Sequence, residues 1–196
     1  MHKFNIKNLQ KLDSPKRRQT MPPEETLRKF NISDRGTLLD IGCGIGYFTI
    51  PAANILKQGK AIGLDIMSEI IDIAKEKANN ISNIEFITSE EYTFPVEDAS
   101  IDYVFICNVI HEIEDKPRYF KEIKRVLKVN AFLCIIDWEK KETEMGPSIN
   151  ERISKEEMIQ VCALADFEHV EDININTGYY SGIPYRECLR LFTNPV

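Results

Sequence analysis

The run Leu38-Leu39-Asp40-Ile41-Gly42-Cys43-Gly44-Ile45-Gly46-Tyr47-Phe48-Thr49 constrains the fold more than any other stretch of the chain. A short apolar strand ends in an acid, three glycines follow at alternate positions, and a helical segment begins at once. Glycine has no Cβ and tolerates positive φ, so the backbone here can turn sharply and let a ligand approach closely. An acid at the strand end points to a ligand with a polar or cationic group rather than phosphates alone. The dinucleotide fingerprint is spaced differently, as G-x-G-x-x-G. Here the third glycine comes one residue early, and Tyr47 stands where that fingerprint needs glycine.

The rest of the chain supplies the context. Strand-like and helix-like segments alternate almost throughout. Residues 37–41, 60–65, 84–88, 101–107 and 131–138 read as strands, and residues 101–107 are nearly all apolar, as in a strand buried on both faces of a parallel sheet. Helices are expected from Thr20 as N-cap, over 47–56, from Ser68, from Asp115-Lys116-Pro117, and from the capping box Ser154-Lys155-Glu156-Glu157. Two late strands are expected near 169–176 and 186–192. This alternation predicts a doubly wound, Rossmann-like α/β fold, with a mostly parallel sheet of about seven strands and helices on both faces. Ligands bind such sheets outside the carboxyl ends of the strands, at the switch in strand order. Asp40, Asp65, Glu90, Asn108 and Trp138 all fall at or just past expected strand ends.

Composition narrows the function. A chain of 196 residues, 43% hydrophobic, supports one domain with a substantial core. We divide it into a basic arm, 1–19, and a single domain, 20–196, in which 139–153 is a long charged loop. The formal net charge of -6 argues against a general nucleic-acid partner. The first 20 residues nevertheless carry six Lys/Arg and one acid, which reads as a solvated terminus or as a flap over a ligand. The five cysteines are scattered, without a C-x-x-C pair, and are expected to be reduced thiols in the cytoplasm. No apolar run approaches the ~20 residues of a membrane helix. His111-Glu112 begins like a zinc H-E-x-x-H motif, but Asp115 replaces the second histidine, so no metal is expected.

Four segments together resemble the class I S-adenosylmethionine-dependent methyltransferases, in their small-molecule (type 11-like) branch. They are Asp40-x-Gly42-x-Gly44-x-Gly46, the acid of Gly63-Leu64-Asp65, the segment Ser89 to Asp102 containing Phe94-Pro95, and Asn108-Val109-Ile110-His111-Glu112 with the following helix 118–128. The resemblance covers roughly residues 20–192. It implies S-adenosyl-L-methionine as cofactor, S-adenosyl-L-homocysteine as product, and a small-molecule acceptor, with no nucleic acid or membrane partner and the oligomeric state open. It places Gly42, Cys43, Gly44 and Gly46 around the amino-acid part of the cofactor, with Asp40 on its ammonium. Asp65 accepts the ribose hydroxyls, with Ile66 and Met67 beside it; Glu90 and Glu91 stand toward adenine, and Asn108 toward the cofactor backbone or the substrate. Glu90 departs from the aspartate usual in the family. Each acid alone reads equally as a turn or capping residue.

Methyl transfer from a sulfonium needs alignment above all, and a base only where the nucleophile is protonated. His111, just past the fourth strand, is the candidate base, or else a structural histidine bonding nearby backbone. Trp138, Tyr179, Tyr180 and Tyr185 are candidate acceptor-pocket aromatics. The chain before Asp34 and the loop 139–153 are expected to cover the acceptor site. The alternatives are a nicotinamide-dependent oxidoreductase, disfavoured by the glycine spacing; a nucleic-acid methyltransferase, disfavoured by Asn108-Val109-Ile110-His111 where an N/D/S-P-P-aromatic run would stand; a metalloid or thiol methyltransferase, which would need clustered thiols; and a cofactor-binding subunit without turnover.

Overall fold

The computed structural model describes residues 6–143, 146–173 and 180–187. In chain order the elements are α1 (Pro15–Thr20), α2 (Pro23–Lys29), β1 (Arg35–Ile41), α3 (Thr49–Ile55), β2 (Gln58–Asp65), α4 (Ser68–Lys77) and β3 (Ile84–Thr88), followed by β4 (Ile101–Cys107), α5 (Lys116–Val126), β5 (Leu127–Trp138), α6 (Lys155–Leu164), β6 (Phe167–His169) and β7 (Tyr180–Glu187). The Rossmann-like α/β class holds. The sheet order is β3-β2-β1-β4-β5-β7-β6. Its parallel body is the five strands β3-β2-β1-β4-β5, and β7 and β6 extend it antiparallel at the β5 edge.

Adjacent residues of β1 show how the two faces are covered. Leu38 packs with Leu27 of α2, Ala52 of α3 and Phe105 of β4. Leu39 belongs to the opposite cluster, with Phe120 and Ile123 of α5, Met158 of α6, and Val104 and Leu133. A smaller cluster seats Ile71 and Ala74 of α4 against Phe86 of β3. Period-2 alternation along a strand buried on both sides accounts for the unbroken apolar runs.

Several boundaries differ from the sequence expectation for identifiable reasons. Thr20 does not cap a helix; it ends α1, its hydroxyl donating back to the Lys16 carbonyl. That earlier helix starts at Pro15, where the Ser14 side chain accepts from the Arg17 N–H. Ser68 does not cap α4 either. Its N-cap is Met67, whose N–H is bonded by the Asp65 carboxylate. The capping box at Ser154 and Glu157 is present, and Asp115 caps α5 by accepting from Arg118. Of the late strands, the first closes at His169, and the second begins at Tyr180, six residues before its expected start at 186. Beyond 187 the second expectation lies outside the described residues.

Candidate active site

A cleft of about 1000 Å³ opens outside the carboxyl ends of β1, β2, β4 and β5. It lies across the β1–β4 junction, where the chain order of the strands reverses. The structure brings Asp40, Gly42, Cys43, Gly44, Asp65, Ile66, Met67, Glu90, Glu91, Asn108 and His111 together on its walls. Gly46 stands behind the turn instead of on the wall; a Cβ there would come within 2.9 Å of the Phe86 ring. Glu90 is exposed at the rim and Glu91 is half-buried.

The glycine turn is held from below. Gly42, Gly44 and Gly46 have φ of 74°, 54° and 80°, a region costly for other residues. The N–H groups of Gly42 and Cys43 both donate to the Leu64 carbonyl, at 2.8 and 2.9 Å. The Gly44 N–H donates to one Asp65 oxygen and the Met67 N–H to the other, each at 3.0 Å. Asp65 therefore ties the first turn to the second, while its oxygens retain lone pairs for further donors. Burial pushes its pKa up, against the lowering effect of these backbone donors.

Asp40 is almost fully buried, at 2% exposure, and accepts from the Thr49 hydroxyl at 2.6 Å. Burial raises its pKa from 3.8 to about 7, against the hydrogen bond from Thr49. A buried carboxylate whose hydrogen bonds come from the hydroxyl and backbone N–H of Thr49 alone is undercompensated, and a cation arriving in the cleft would complete it.

On the opposite wall, Asn108 follows β4 with φ 59°, its N–H donating to the Ile136 carbonyl. Its Oδ1 is buried without a hydrogen-bond partner, an acceptor aimed at a donor from a ligand. Next to it, the His111 ring meets Asp137 of β5 at 2.6 Å through Nδ1. Asp137 was missed by sequence reasoning, although the signal was there: like Asp40 and Asp65, it is an acid at the end of an apolar strand. Trp138 lines the cleft beyond it. Tyr180 and Tyr185 lie on β7, opposite Trp138 and Leu133 in register, and Tyr179 lies outside the described residues.

Among the described residues, Cys43, Cys107, Cys134 and Cys162 are free and buried. Cys43 and Cys107 reach the cleft wall, yet burial raises both thiols, Cys107 to about 12. Among the described residues no cluster of three metal-ligating side chains exists. Among the described residues the cysteines do not form the thiol cluster that metalloid chemistry would need.

Two segments outside the parallel sheet complete the walls. Leu12, Ser14 and Arg17 line the cleft from the arm. Arg17 stacks its guanidinium 4.2 Å from the Tyr47 ring centre, and its buried Nε has no hydrogen-bond partner. From the loop after β5, Gly146 and Pro147 reach the cleft. That loop is organised by Arg152, 5% exposed, which donates to the carbonyls of Glu139, Lys141 and Pro147 and to the Thr143 hydroxyl.

An acid-flanked glycine turn beneath a cleft at the switch point is the architecture of the Rossmann-like methyltransferases. The chain belongs to the family described as "Methyltransferase domain", whose sequence pattern matches residues 32–178. It is a class I, S-adenosylmethionine-dependent member of the type 11 kind. Its structure superposes on a SAM-dependent methyltransferase from Aquifex aeolicus with TM-score 0.89 and 30% identity, over 95% of this chain and 100% of that one. A putative type 11 methyltransferase from Sulfolobus solfataricus gives TM-score 0.71 and 26% identity over 87% and 95% of the two chains. A demethylmenaquinone methyltransferase from Oceanobacillus iheyensis is 31% identical over 117 residues, 58% of this chain and 49% of that protein. The chain thus spans about half the length of the curated relatives it matches.

Proposed function

We propose that this protein transfers the methyl group of S-adenosylmethionine to a small-molecule acceptor by in-line displacement. The observation that carries the reading is one cleft whose first wall is the Asp40–Gly44–Asp65 turn and whose facing wall is Asn108, His111 and Trp138. The first wall suits the cofactor. Asp40 offers a dry carboxylate to an ammonium, and Asp65 keeps acceptor capacity for a diol. Gly44 leaves open space, with only Leu12 of the arm within 4 Å of a Cβ built there. The unpartnered Nε of Arg17 suits the cofactor's carboxylate, since guanidinium pairs well with planar anions. Ile66 and Met67 supply apolar surface beside the sugar and base, and Glu90 and Glu91 supply acceptors for the adenine amine. When bound, the cofactor supplies a methyl carbon already activated by sulfonium.

The protein's contribution is alignment and exclusion of water, worth on the order of 7–11 kcal/mol in favourable intramolecular cases. The arm, 1–19, and the loop 139–153 form the cover of a single domain, 20–196, and the acceptor lies between them and Trp138. Several curated relatives are named for demethylmenaquinone, which favours a small organic acceptor over a macromolecule. Titration calorimetry with S-adenosylmethionine and S-adenosylhomocysteine, followed by tritiated-methyl transfer into a cell metabolite extract, tests the reading. Both ligands bind and a labelled small molecule forms. Binding without transfer at any pH makes the chain a cofactor-binding subunit, and no binding overturns the assignment outright.

A further inference from the structure

His111 and Asp137 form a buried pair to which the proposed cofactor wall gives no role. His111 lies in the 3-10 turn Ile110–Glu112 after β4, and Asp137 is the penultimate residue of β5. Their side chains are 7% and 6% exposed. One Asp137 oxygen meets the ring Nδ1 at 2.6 Å and also accepts from the Trp138 N–H; the other accepts from the His111 backbone N–H at 3.1 Å. Gripping a histidine by ring and backbone at once leaves its imidazole one orientation. An ionised carboxylate has no proton to donate, so Nδ1 carries the hydrogen and Nε2 keeps the lone pair. Nε2 stands 3.8 Å from Glu112 Oε1, beyond hydrogen-bond distance. His111 is on the cleft wall, whereas Asp137 stands behind it and off that wall. A histidine that merely filled space would not need a carboxylate fixing both its ring and its backbone at the wall of a ligand cleft.

We propose that His111 is the proton acceptor of the transfer, that Asp137 is its positioning residue, and that the acceptor is an oxygen or carbon acid, a molecule whose attacking atom carries a proton. This rests on the methyl-transfer reading. The acceptor's electron pair forms the bond to the methyl carbon. The carbon–sulfur bond breaks with its pair left on sulfur, and the acceptor's proton passes to His111 Nε2 and then to solvent. A thiolate, thioether or trivalent metalloid brings a free pair and would not need this base. The charged groups around the ring agree. Burial lowers the imidazole pKa, but the hydrogen bond and charge of Asp137 on β5, with smaller contributions from Glu112 on its own turn and Glu151 on the loop, outweigh it and shift it upward. Lys116 of α5 adds a positive charge that acts on Asp137.

The test has two readouts on the full chain, with Asp137→Asn, His111→Asn and, as control, Glu112→Gln. In 15N-histidine spectra with S-adenosylhomocysteine bound, His111 shows the Nδ1–H tautomer and titrates above 6.5, and Asp137→Asn moves the midpoint down. An Nε2–H tautomer, or a midpoint unmoved by Asp137→Asn, overturns the pair whatever the acceptor is. In tritiated-methyl transfer into a cell metabolite extract, the wild-type rate rises through the same midpoint. His111→Asn loses about a hundredfold or more, Asp137→Asn shifts the profile to lower pH, and Glu112→Gln, which removes a smaller contribution, shifts it the same way but by less. Transfer indifferent to His111, or a labelled product methylated on sulfur or a metalloid, overturns the proposal. Calorimetry on each variant separates this from failure of the cofactor reading: His111 and Asp137 variants keep wild-type affinity, and a wild type that binds no S-adenosylmethionine refutes the reading beneath it.

Discussion

Asp40 shows how burial becomes chemistry at one residue. Its carboxyl is raised from 3.8 to about 7 by burial, against the Thr49 hydroxyl. Because the folded value is raised, the favourable contribution to stability is complete below pH 3.8 and is lost as pH rises toward 7. Above that the buried charge costs at most about 4 kcal/mol, at about 1.4 kcal/mol per unit. Asp40→Asn should therefore melt higher than wild type at pH 8, with the difference narrowing toward pH 5. The same variant should bind S-adenosylmethionine about ten- to a hundredfold more weakly, since a charge-assisted hydrogen bond contributes ~1.5–3 kcal/mol. Wild-type affinity in that variant would remove Asp40 from the ammonium. Asp65 behaves differently because it also holds the turns together. Asp65→Ala strands the N–H groups of Gly44 and Met67, so calorimetry should show lost cofactor binding and thermal melts a loss of about 1–3 kcal/mol. A variant that keeps affinity breaks the ribose assignment. Both acids were legible in the sequence because each sits at the end of an apolar strand beside its own turn. The partner of His111 was not, because Asp137 lies 26 residues on and only the pairing of β4 with β5 brings them together.

At the scale of elements, the loop after β5 carries more internal structure than its reading as a long charged loop over the acceptor site. It contains a 3-10 turn, Ile149–Glu151, with its own capping box, and it folds back on Trp138, where a Cβ on Gly146 would lie 2.9 Å from the indole. The Ser148-x-x-Glu151 capping box stands in the sequence, but the fold-back does not, since its organiser is a charged side chain, Arg152, buried by satisfying main-chain carbonyls. The α1 helix was missed for a related reason. The Pro22-Pro23 pair is a strong start signal and drew the reading to α2, whereas the Ser14-Pro15 start is equally well formed and closer to the cleft. The strands β3 and β4, by contrast, fall where their apolar runs end. Replacing Arg152 by Met keeps length and apolar bulk but removes every one of those hydrogen bonds. Hydrogen exchange should then accelerate in residues 139–153, the acceptor KM should rise several-fold, and the Kd for S-adenosylmethionine should stay unchanged. Equal loss of cofactor affinity would mean that the loop supports the whole cleft and does not cover the acceptor alone.

For the whole molecule, function follows from where the sheet changes direction. Strand order places β1 and β4 side by side and sends their connections to opposite faces, which leaves the cleft that the cofactor would fill. In the proposed reading the parallel body forms the cofactor wall, and the segments outside it, the arm and the loop after β5, would decide what else enters. The arm is tied down by contacts of modest strength: Asp13 with Lys77 at 3.1 Å, and Arg17 over Tyr47. A partly exposed ion pair contributes ~0–1 kcal/mol and a half-buried cation–π contact about 1 kcal/mol, so removing residues 1–18 should lower the melting temperature by only a few degrees. Met21, whose carbonyl accepts from the Tyr47 hydroxyl and whose side chain is fully buried, remains to close the core. The truncated protein loses Leu12 above Gly44 and the guanidinium of Arg17, so the Kd for S-adenosylmethionine should rise about tenfold or more. The thermal shift produced by a fixed cofactor concentration should shrink accordingly, since that shift scales with the logarithm of ligand over Kd. Arg17→Met alone should reproduce most of the loss with a smaller change in melting temperature. If the truncation binds and transfers like wild type, the arm is a solvated terminus and the cofactor is held by the glycine turn and its two acids.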